Sequence, residues 1–282
     1  MIKVIVSDMD GTLFAGHGET VFDLTERNEE ALKRVQEAGI DFFIASGRMI
    51  SYSNYILKKY GFEKHILAGF NGAIIYDKGE TPITYPLTKE IVQGIVSFVN
   101  THWDYDGMMQ VQSLHNERIF NNPGGLDLSA YDKESKLSDI CTVYKDKTIE
   151  DYLEGNVEVI PMKMTVVLKD STKASTLFEQ LKQSFENILY ITMSTPTCIE
   201  LVNPLANKGI FIQYLMNTYQ YKPYEIAVIG DSLNDIDMFY YSENCFAMED
   251  GVEELKNRAQ YIVKDVAQCI DICIKLNQAT EG

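Results

Sequence analysis

Two carboxylates stand two residues apart where an apolar run ends, in Val4-Ile5-Val6-Ser7-Asp8-Met9-Asp10-Gly11-Thr12. Along a strand, residues i and i+2 point to one side, so Asp8 and Asp10 repel unless the backbone bends or a cation lies nearby. Three other stretches carry groups suited to an anion: Ser46-Gly47-Arg48, Asn207-Lys208-Gly209 and Gly230-Asp231-Ser232-Leu233-Asn234-Asp235. Singly, each has a plain structural reading, as a turn into a helix, a solvated lysine or a helix cap. Together they form the parts list of phosphoryl transfer through a carboxylate nucleophile. A carboxylate is ionised at neutral pH and needs no activating base, so Asp8 is suited to attack phosphorus and form an aspartyl-phosphate. A phosphate dianion beside Asp8 and Asp231 meets a repulsion of ~4 kcal/mol per unit pair at ~4 Å with an effective dielectric of ~20. A Mg²⁺ ion held by a few oxygen ligands offsets that repulsion and polarises the phosphoryl oxygens. Ser46, the backbone N–H groups beside it and Lys208 suit the remaining phosphate oxygens. Asp10 suits general acid/base help, typically worth about 10² to 10⁴ in rate.

A calcium loop is the competing use of the first stretch. Counting Asp8 as its first position, Glu19 stands at the twelfth, but the sixth is Leu13 where such loops need Gly, and the preceding residues read as a strand.

The elements that must position these groups follow from periodicity. Lys3 to Ser7, Ile40 to Ala45 and Glu225 to Ile229 read as buried parallel strands, rich in Val, Ile or Phe. Between the first two, Leu24, Asn28, Ala31, Leu32, Val35 and Ala38 share one face of a helix, with Thr25 as N-cap and Gly39 as stop. Strand, helix, strand in this order predicts a right-handed crossover and an open, Rossmann-like α/β sheet, which binds ligands outside the carboxyl ends of its strands. After Phe70-Asn71-Gly72-Ala73-Ile74-Ile75-Tyr76-Asp77 the texture changes at Lys78-Gly79-Glu80-Thr81-Pro82. Helical stretches near Glu90 to Thr101 and Thr172 to Phe185, with the strand-like Met162 to Leu168, suggest a separate α+β module. The α/β texture resumes with a helix over Asn207 to Tyr219. The expected organisation is a discontinuous α/β core, residues 1–83 and 190–282, carrying an inserted α+β domain at 84–189.

Charge and composition narrow the partners. Lys and Arg number 25 against 41 Asp and Glu, a formal charge of −16 that disfavours nucleic acid and anionic membrane surfaces. No apolar run reaches transmembrane length and the first residues lack a secretory pattern, which points to the cytoplasm. Cys141, Cys198, Cys245, Cys269 and Cys273 form no CxxC pair, and His17, His65, His102 and His115 are scattered, a pattern against zinc. Trp103, Tyr105, Met108, Met109 and Asn121-Asn122-Pro123-Gly124-Gly125 read either as the lining of a pocket or as core of the inserted module.

The four stretches, in order, resemble the motifs of the haloacid dehalogenase-like superfamily and, within it, of the Cof-type, subclass IIB phosphatases. DMDGT is similar to the DxDGT first motif, IASGR to the second, and NKG and GDSLND to the third and fourth. FNGAIIYD, CIELVNPLANKG and AMEDGVEELKNRAQYIV also resemble family segments, so the likeness covers nearly all of the core. The resemblance implies Asp8 as nucleophile, Asp10 as general acid/base and as a Mg²⁺ ligand through its backbone carbonyl, and Asp231 as a further ligand. It implies Ser46, Lys208 and Asn234 on the phosphate, a backbone amide from Gly47, Arg48 on the substrate side, and Asp235 behind the metal ligands. The inserted module would be a mobile cap that selects the substrate, a small phosphorylated metabolite such as a sugar phosphate or phosphorylated cofactor. A phosphotransferase or mutase of the same superfamily, and a phosphate sensor with negligible turnover, remain open; Asp10 argues against dehalogenation.

Overall fold

A computed structural model describes residues 1–14, 24–62, 66–103, 106–129 and 141–281. Gly16, His17, Gly18, Glu19, His65 and Tyr105 lie outside the described residues. The chain begins with β1 (Val4–Ser7), α1 (Glu26–Glu37), β2 (Asp41–Ala45), α2 (Ile50–Lys59), β3 (Ile66–Gly69) and β4 (Ile74–Asp77). An α+β stretch follows, with β5 (Ile83–Thr84), α3 (Lys89–His102), β6 (Gly107–Ser113), β7 (Glu117–Asn121), β8 (Thr142–Val143) and α4 (Ile149–Glu154). It continues with β9 (Pro161–Leu168), α5 (Ser171–Ser184), β10 (Tyr190–Thr195) and β11 (Cys198–Val202). The last part contains α6 (Lys208–Tyr219), β12 (Ile226–Gly230), α7 (Ile236–Phe239), β13 (Asn244–Met248), α8 (Glu253–Lys256), β14 (Tyr261–Val263) and α9 (Val266–Glu281). Among the described residues, no helix is long and apolar enough to cross a membrane.

Two compact units result, Met1–Pro82 with Asn207–Gly282, and Ile83–Ala206. The sequence reading ends the insertion at residue 189; the structure ends it at Ala206. The reason is pairing: β10 and β11 form an antiparallel hairpin, and β11 continues against β9 with Glu200 opposite Thr165. Residues 190–206 therefore complete the inserted sheet rather than return to the core.

In the core unit the strands run β14-β13-β12-β1-β2-β3-β4, all parallel except for the β3–β4 pair. Every residue of β1 is buried, as the continuous apolar run requires of a strand covered on both faces. Because β1 lies between β2 and β12, the crossovers diverge on its two sides, and a crevice opens at its carboxyl end. Helix α1 starts as expected, with the Thr25 hydroxyl accepting the Asn28 N–H. Asn28, Ala31, Leu32 and Val35 face inward, but Ala38 is exposed, because the helix has ended at Glu37.

The far end of the core sheet holds a partly buried polar cluster. Tyr214 and Tyr219 both donate to Asp77 Oδ2, at 2.7 and 2.6 Å, and Tyr221 donates to Asp41 Oδ2 at 2.7 Å. Burial, and then the hydrogen bond to Asp77, push the Tyr214 hydroxyl up to about 12, and Tyr219 and Tyr221 also shift upward. The folded values exceed the unfolded value of about 10, so the stabilisation is complete below about pH 10 and is lost as pH rises through the folded values. An ultraviolet titration of the native protein should therefore show these three tyrosines ionising late. Asp77→Asn should bring Tyr214 and Tyr219 toward the ordinary range and leave Tyr221 late; simultaneous ionisation of all tyrosines near pH ~10 in the folded protein would contradict the bonding.

In the inserted unit the strands run β10-β11-β9-β6-β7-β8, antiparallel except for β7–β8. One face, with Met109, Val111, Met164, Val166, Ile199 and Leu201, packs with Val92, Ile95 and Val99 of α3 and Ala174, Leu177 and Leu181 of α5. Apolar and polar residues alternate along the sheet and separate two faces, yet the polar one is buried as well: Gln110, Gln112, Lys163, Thr165 and Glu200 are all under a tenth exposed. Lys163 Nζ and Glu200 Oε1 pair there at 2.7 Å. Breaking such a pair leaves a buried charge, so Lys163→Met should cost about 3–5 kcal/mol in urea unfolding, and adding Glu200→Leu should recover most of the loss. Equal stability of the single and double variants would show that the charge is not buried in solution. Met109 belongs to the core of this unit, while Trp103, Met108, Met109 and Pro123 border a small apolar crevice. Asn121 and Asn122 serve the backbone, accepting the N–H groups of Ile149 and Leu126.

Candidate active site

The strand-end question of Asp8 and Asp10 is settled by a bend. Asp8 stays tied to the sheet through its N–H, which donates to Ile229 O of β12 at 3.0 Å. Beyond it the chain curls back, with Phe14 N–H donating to Met9 O at 3.0 Å, and leaves the regular path at Gly11, where φ is +77°. A Cβ at Gly11 would also stand 2.6 Å from Asp231 Oδ2, so both backbone conformation and space exclude a side chain there. The two carboxylates consequently leave the strand in different settings: Asp8 is 5% exposed, whereas the side chain of Asp10 is 52% exposed. Asn28 of α1 anchors the same loop from below, donating to Leu13 O at 3.0 Å and accepting the Ala267 N–H of α9 at 3.1 Å.

Lys208 reaches this place from the first turn of α6, whose N-cap Asn207 accepts the Ile210 N–H. Its fully buried ammonium lies between Asp8 Oδ1, at 2.5 Å, and Asp235 Oδ1, at 2.6 Å. Asp235 uses its other oxygen to accept the N–H groups of Asp231 and Ser232, at 2.9 and 3.0 Å. This loop therefore presents Asp231 at the end of β12, where Thr12 Oγ1 and Ser232 Oγ donate to its carboxylate at 2.8 and 2.7 Å. The acidic turn that follows β13 supports it from behind: Val252 N–H donates to Asp231 O at 2.8 Å, while Glu249 and Asp250 point to solvent.

Ser46, at the end of β2, is completely buried. Its N–H donates to Ala68 O, and its hydroxyl oxygen accepts the Arg48 N–H at 3.0 Å. The sequence reading offers the adjacent backbone N–H groups to phosphate as a set; those of Ser46 and Arg48 are committed to the sheet and to Ser46 Oγ instead. The hydroxyl proton of Ser46 is the donor that this position contributes. Gly47 lies in the bend between them. Arg48 is bound through its guanidinium to Asp10: Nε lies 2.6 Å from Oδ2, and Nη2 lies 2.6 Å from Oδ1. Asn234 is 5% exposed and donates through Nδ2 to Asn71 Oδ1 at 3.1 Å, while its own buried Oδ1 has no hydrogen-bond partner among the described residues. The Asn71 turn is held against α6: at Gly72, where φ is +90°, a Cβ would lie 2.2 Å from Asn207 O.

The structure thus gathers Asp8, Lys208, Asp231, Asp235 and Ser46, with Asp10 and Arg48 at the rim and Asn234 beside them. Sequence reasoning overlooked Thr12, Ser232 and Asn71, which hold Asp231 and Asn234. The signal was present, since each belongs to a quoted motif, but a hydroxyl or amide shows no function until its partner is known.

Among the described residues, the four carboxylates of Asp8, Asp10, Asp231 and Asp235 face the two cations Lys208 and Arg48, an excess of two negative charges. Burial drives the Asp8 carboxyl well above its usual range; Lys208 opposes that shift, and Asp235, Asp231 and Asp10 add to it. Burial, then Asp235, also raises Asp231. Burial alone would lower the Lys208 ammonium, but Asp235 and Asp8 outweigh it, so its net shift is upward and the lysine stays cationic. A divalent cation fits this excess. Among the described residues, Asp8, Asp231 and Asp235 place carboxylate oxygens within 4.8 Å of one another. Since Asp235 is occupied by Lys208 and two amides, Asp8 and Asp231 are the side chains suited to bind the cation directly. An all-oxygen donor set of this kind suits Mg²⁺.

Cys141, Cys245, Cys269 and Cys273 are buried free thiols, and Cys198 is half-buried.

The family pattern of the haloacid dehalogenase-like hydrolases matches residues 5–269. The 5-amino-6-(5-phospho-D-ribitylamino)uracil phosphatase of Bacillus subtilis is 26% identical over 288 residues, covering 93% of this chain and 93% of its own. A haloacid dehalogenase-like hydrolase structure from Bacillus subtilis superposes with a TM-score of 0.77 at 20% identity, over 96% of this chain and 99% of that one. Another, from Bacteroides thetaiotaomicron, gives 0.76 at 23% identity, over 97% and 100%. The parallel sheet, the carboxylate-lysine cluster at its carboxyl ends and the family match agree, and the chain belongs to the haloacid dehalogenase-like hydrolases as an enzyme of the phosphatase class.

Proposed function

We propose that the protein is a Mg²⁺-dependent phosphatase that hydrolyses a small cytoplasmic phosphomonoester through an aspartyl-phosphate on Asp8. The carrying observation is the buried Lys208 ammonium between Asp8 and Asp235, with Asp231 adjoining. Lys208 holds Asp8 by one oxygen and thereby orients its carboxylate. Asp8 attacks phosphorus as the ester P–O bond breaks, and Asp10 gives its proton to the departing oxygen. Asp10 then takes a proton from water, which attacks the phosphorus and restores Asp8 with release of inorganic phosphate. Ser46 Oγ–H, Lys208 and Asn234 would hold the non-bridging oxygens. The metal, bound by Asp8, Asp231 and the backbone carbonyl of Asp10, would offset the repulsion between carboxylates and phosphate and polarise the phosphoryl group.

The unit Ile83–Ala206 would select the leaving group, as family resemblance implies. The Bacillus relative names one phosphorylated metabolite as its substrate, which supports a sugar-phosphate-like or cofactor-like ester here. Phosphate release over a panel of such esters, with Mg²⁺ and with a chelator, is the direct test. Turnover of at least one ester with Mg²⁺, lost on chelation and regained on Mg²⁺ addition, is expected; release unaffected by chelation removes the metal from the proposal.

A further inference from the structure

Arg48 is held at both ends. Its backbone N–H donates to the buried Ser46 Oγ at 3.0 Å, and its guanidinium carbon lies 5.0 Å from the ring centroid of Tyr52, a wholly buried residue of α2. From that seat the guanidinium grips both oxygens of Asp10, at 2.6 Å each. Asp10 itself sits on the bend before Gly11 with half of its side chain open to solvent. A carboxylate in such a place would spread over several rotamers unless a partner selected one. The fork is planar and bidentate, so it fixes the plane and direction of the Asp10 carboxylate.

We infer that Arg48 is a positioning residue for Asp10, fixing the carboxylate where proton transfer to the ester oxygen and from water takes place, rather than a ligand of the phosphate. This inference rests on the phosphatase reading above. It differs from that reading in what the Arg48 side chain does.

A double-mutant cycle on kcat with a turned-over phosphate ester and Mg²⁺ tests it. Misplacement of a catalytic group by ~1 Å costs ~10²-fold, so Arg48→Ala should lower kcat by about 10- to 100-fold while KM stays within about twofold. In an Asp10→Asn background, where there is no carboxylate to position, adding Arg48→Ala should cost less than about twofold. Arg48→Lys, which keeps the charge without the planar fork, should recover only part of the loss. Thermal melts and circular dichroism accompany every variant, and Arg48→Lys carries the cycle if Arg48→Ala melts low. Multiplicative losses, or a raised KM with unchanged kcat, would place Arg48 on the ester and overturn the inference while Asp8-dependent release preserves the phosphatase reading. If wild-type protein releases no phosphate from any ester, both fall together.

Discussion

Asp8→Asn should lower phosphate release by about 10⁴-fold or more, and without divalent metal the variant should be at least as stable as the wild type. The first half follows from the proposed covalent chemistry: an amide at this position would not form the aspartyl-phosphate, and among the described residues the neighbouring carboxylates are engaged elsewhere. Asp10 is bound by Arg48, Asp231 by Thr12 and Ser232, and Asp235 by Lys208 and two amides. The second half follows from burial, which, with the other carboxylates, holds the Asp8 carboxyl above its ordinary range despite Lys208. A folded value above the unfolded one means that ionising Asp8 works against folding as pH rises past about 4. Asparagine removes that cost and keeps the shape. Steady-state phosphate release and metal-free thermal melts together decide the matter. Wild-type turnover in the variant would eliminate the nucleophile assignment; a large drop in melting temperature would show instead that Asp8 is ionised and favourably paired in the free protein.

Lys208→Met should act in the opposite sense on stability. Removing the ammonium leaves Asp8 and Asp235 buried and facing each other, and loss of one partner from such a group typically costs about 3–5 kcal/mol. Turnover should fall by about 10²- to 10³-fold, the usual size of a lost electrostatic contact in the transition state. The double variant Lys208→Met with Asp8→Asn should be more stable than Lys208→Met alone, because Asp235 is then the carboxylate left without its cation and still has the amides of Asp231 and Ser232. Urea unfolding of the four proteins provides the comparison. If Lys208→Met unfolds like the wild type, the ammonium is not sandwiched as described.

These two outcomes express a familiar tension in one site. Groups arranged for chemistry are kept close although they repel, and the remainder of the core unit holds them there. Asn28 pinning Leu13 O, Gly11 making room for Asp231, and Val252 N–H supporting Asp231 O are parts of that restraint.

Much of this is legible in the sequence. The strands around Val4–Ser7, Asp41–Ala45 and Ile226–Gly230 announce themselves because a strand buried on both faces needs an unbroken apolar run. Helix α1 is equally plain, since Thr25 and the spacing of Asn28, Ala31, Leu32 and Val35 are local features. The end of the insertion was misread because Cys198–Val202 is an apolar strand that would serve either sheet. Its antiparallel match to Pro161–Leu168 is a pairing over a long stretch of chain, which local pattern does not encode.

The same division runs through the site. Residue type and order by themselves determined the chemical kit: two carboxylates at a strand end, a lysine, a serine and an acidic loop, each at the end of a predicted element. Tertiary structure alone decided who holds whom. It buried Asp8 yet left Asp10 at the rim, turned Arg48 onto Asp10, and placed Thr12, Ser232 and Asn71 as supports. Those outcomes depend on distances of a few ångströms between residues up to 219 positions apart, such as Thr12 and Asp231. The physical reason is that bond-making types are written in the chain, whereas their partners are chosen only when packing and burial bring distant segments together.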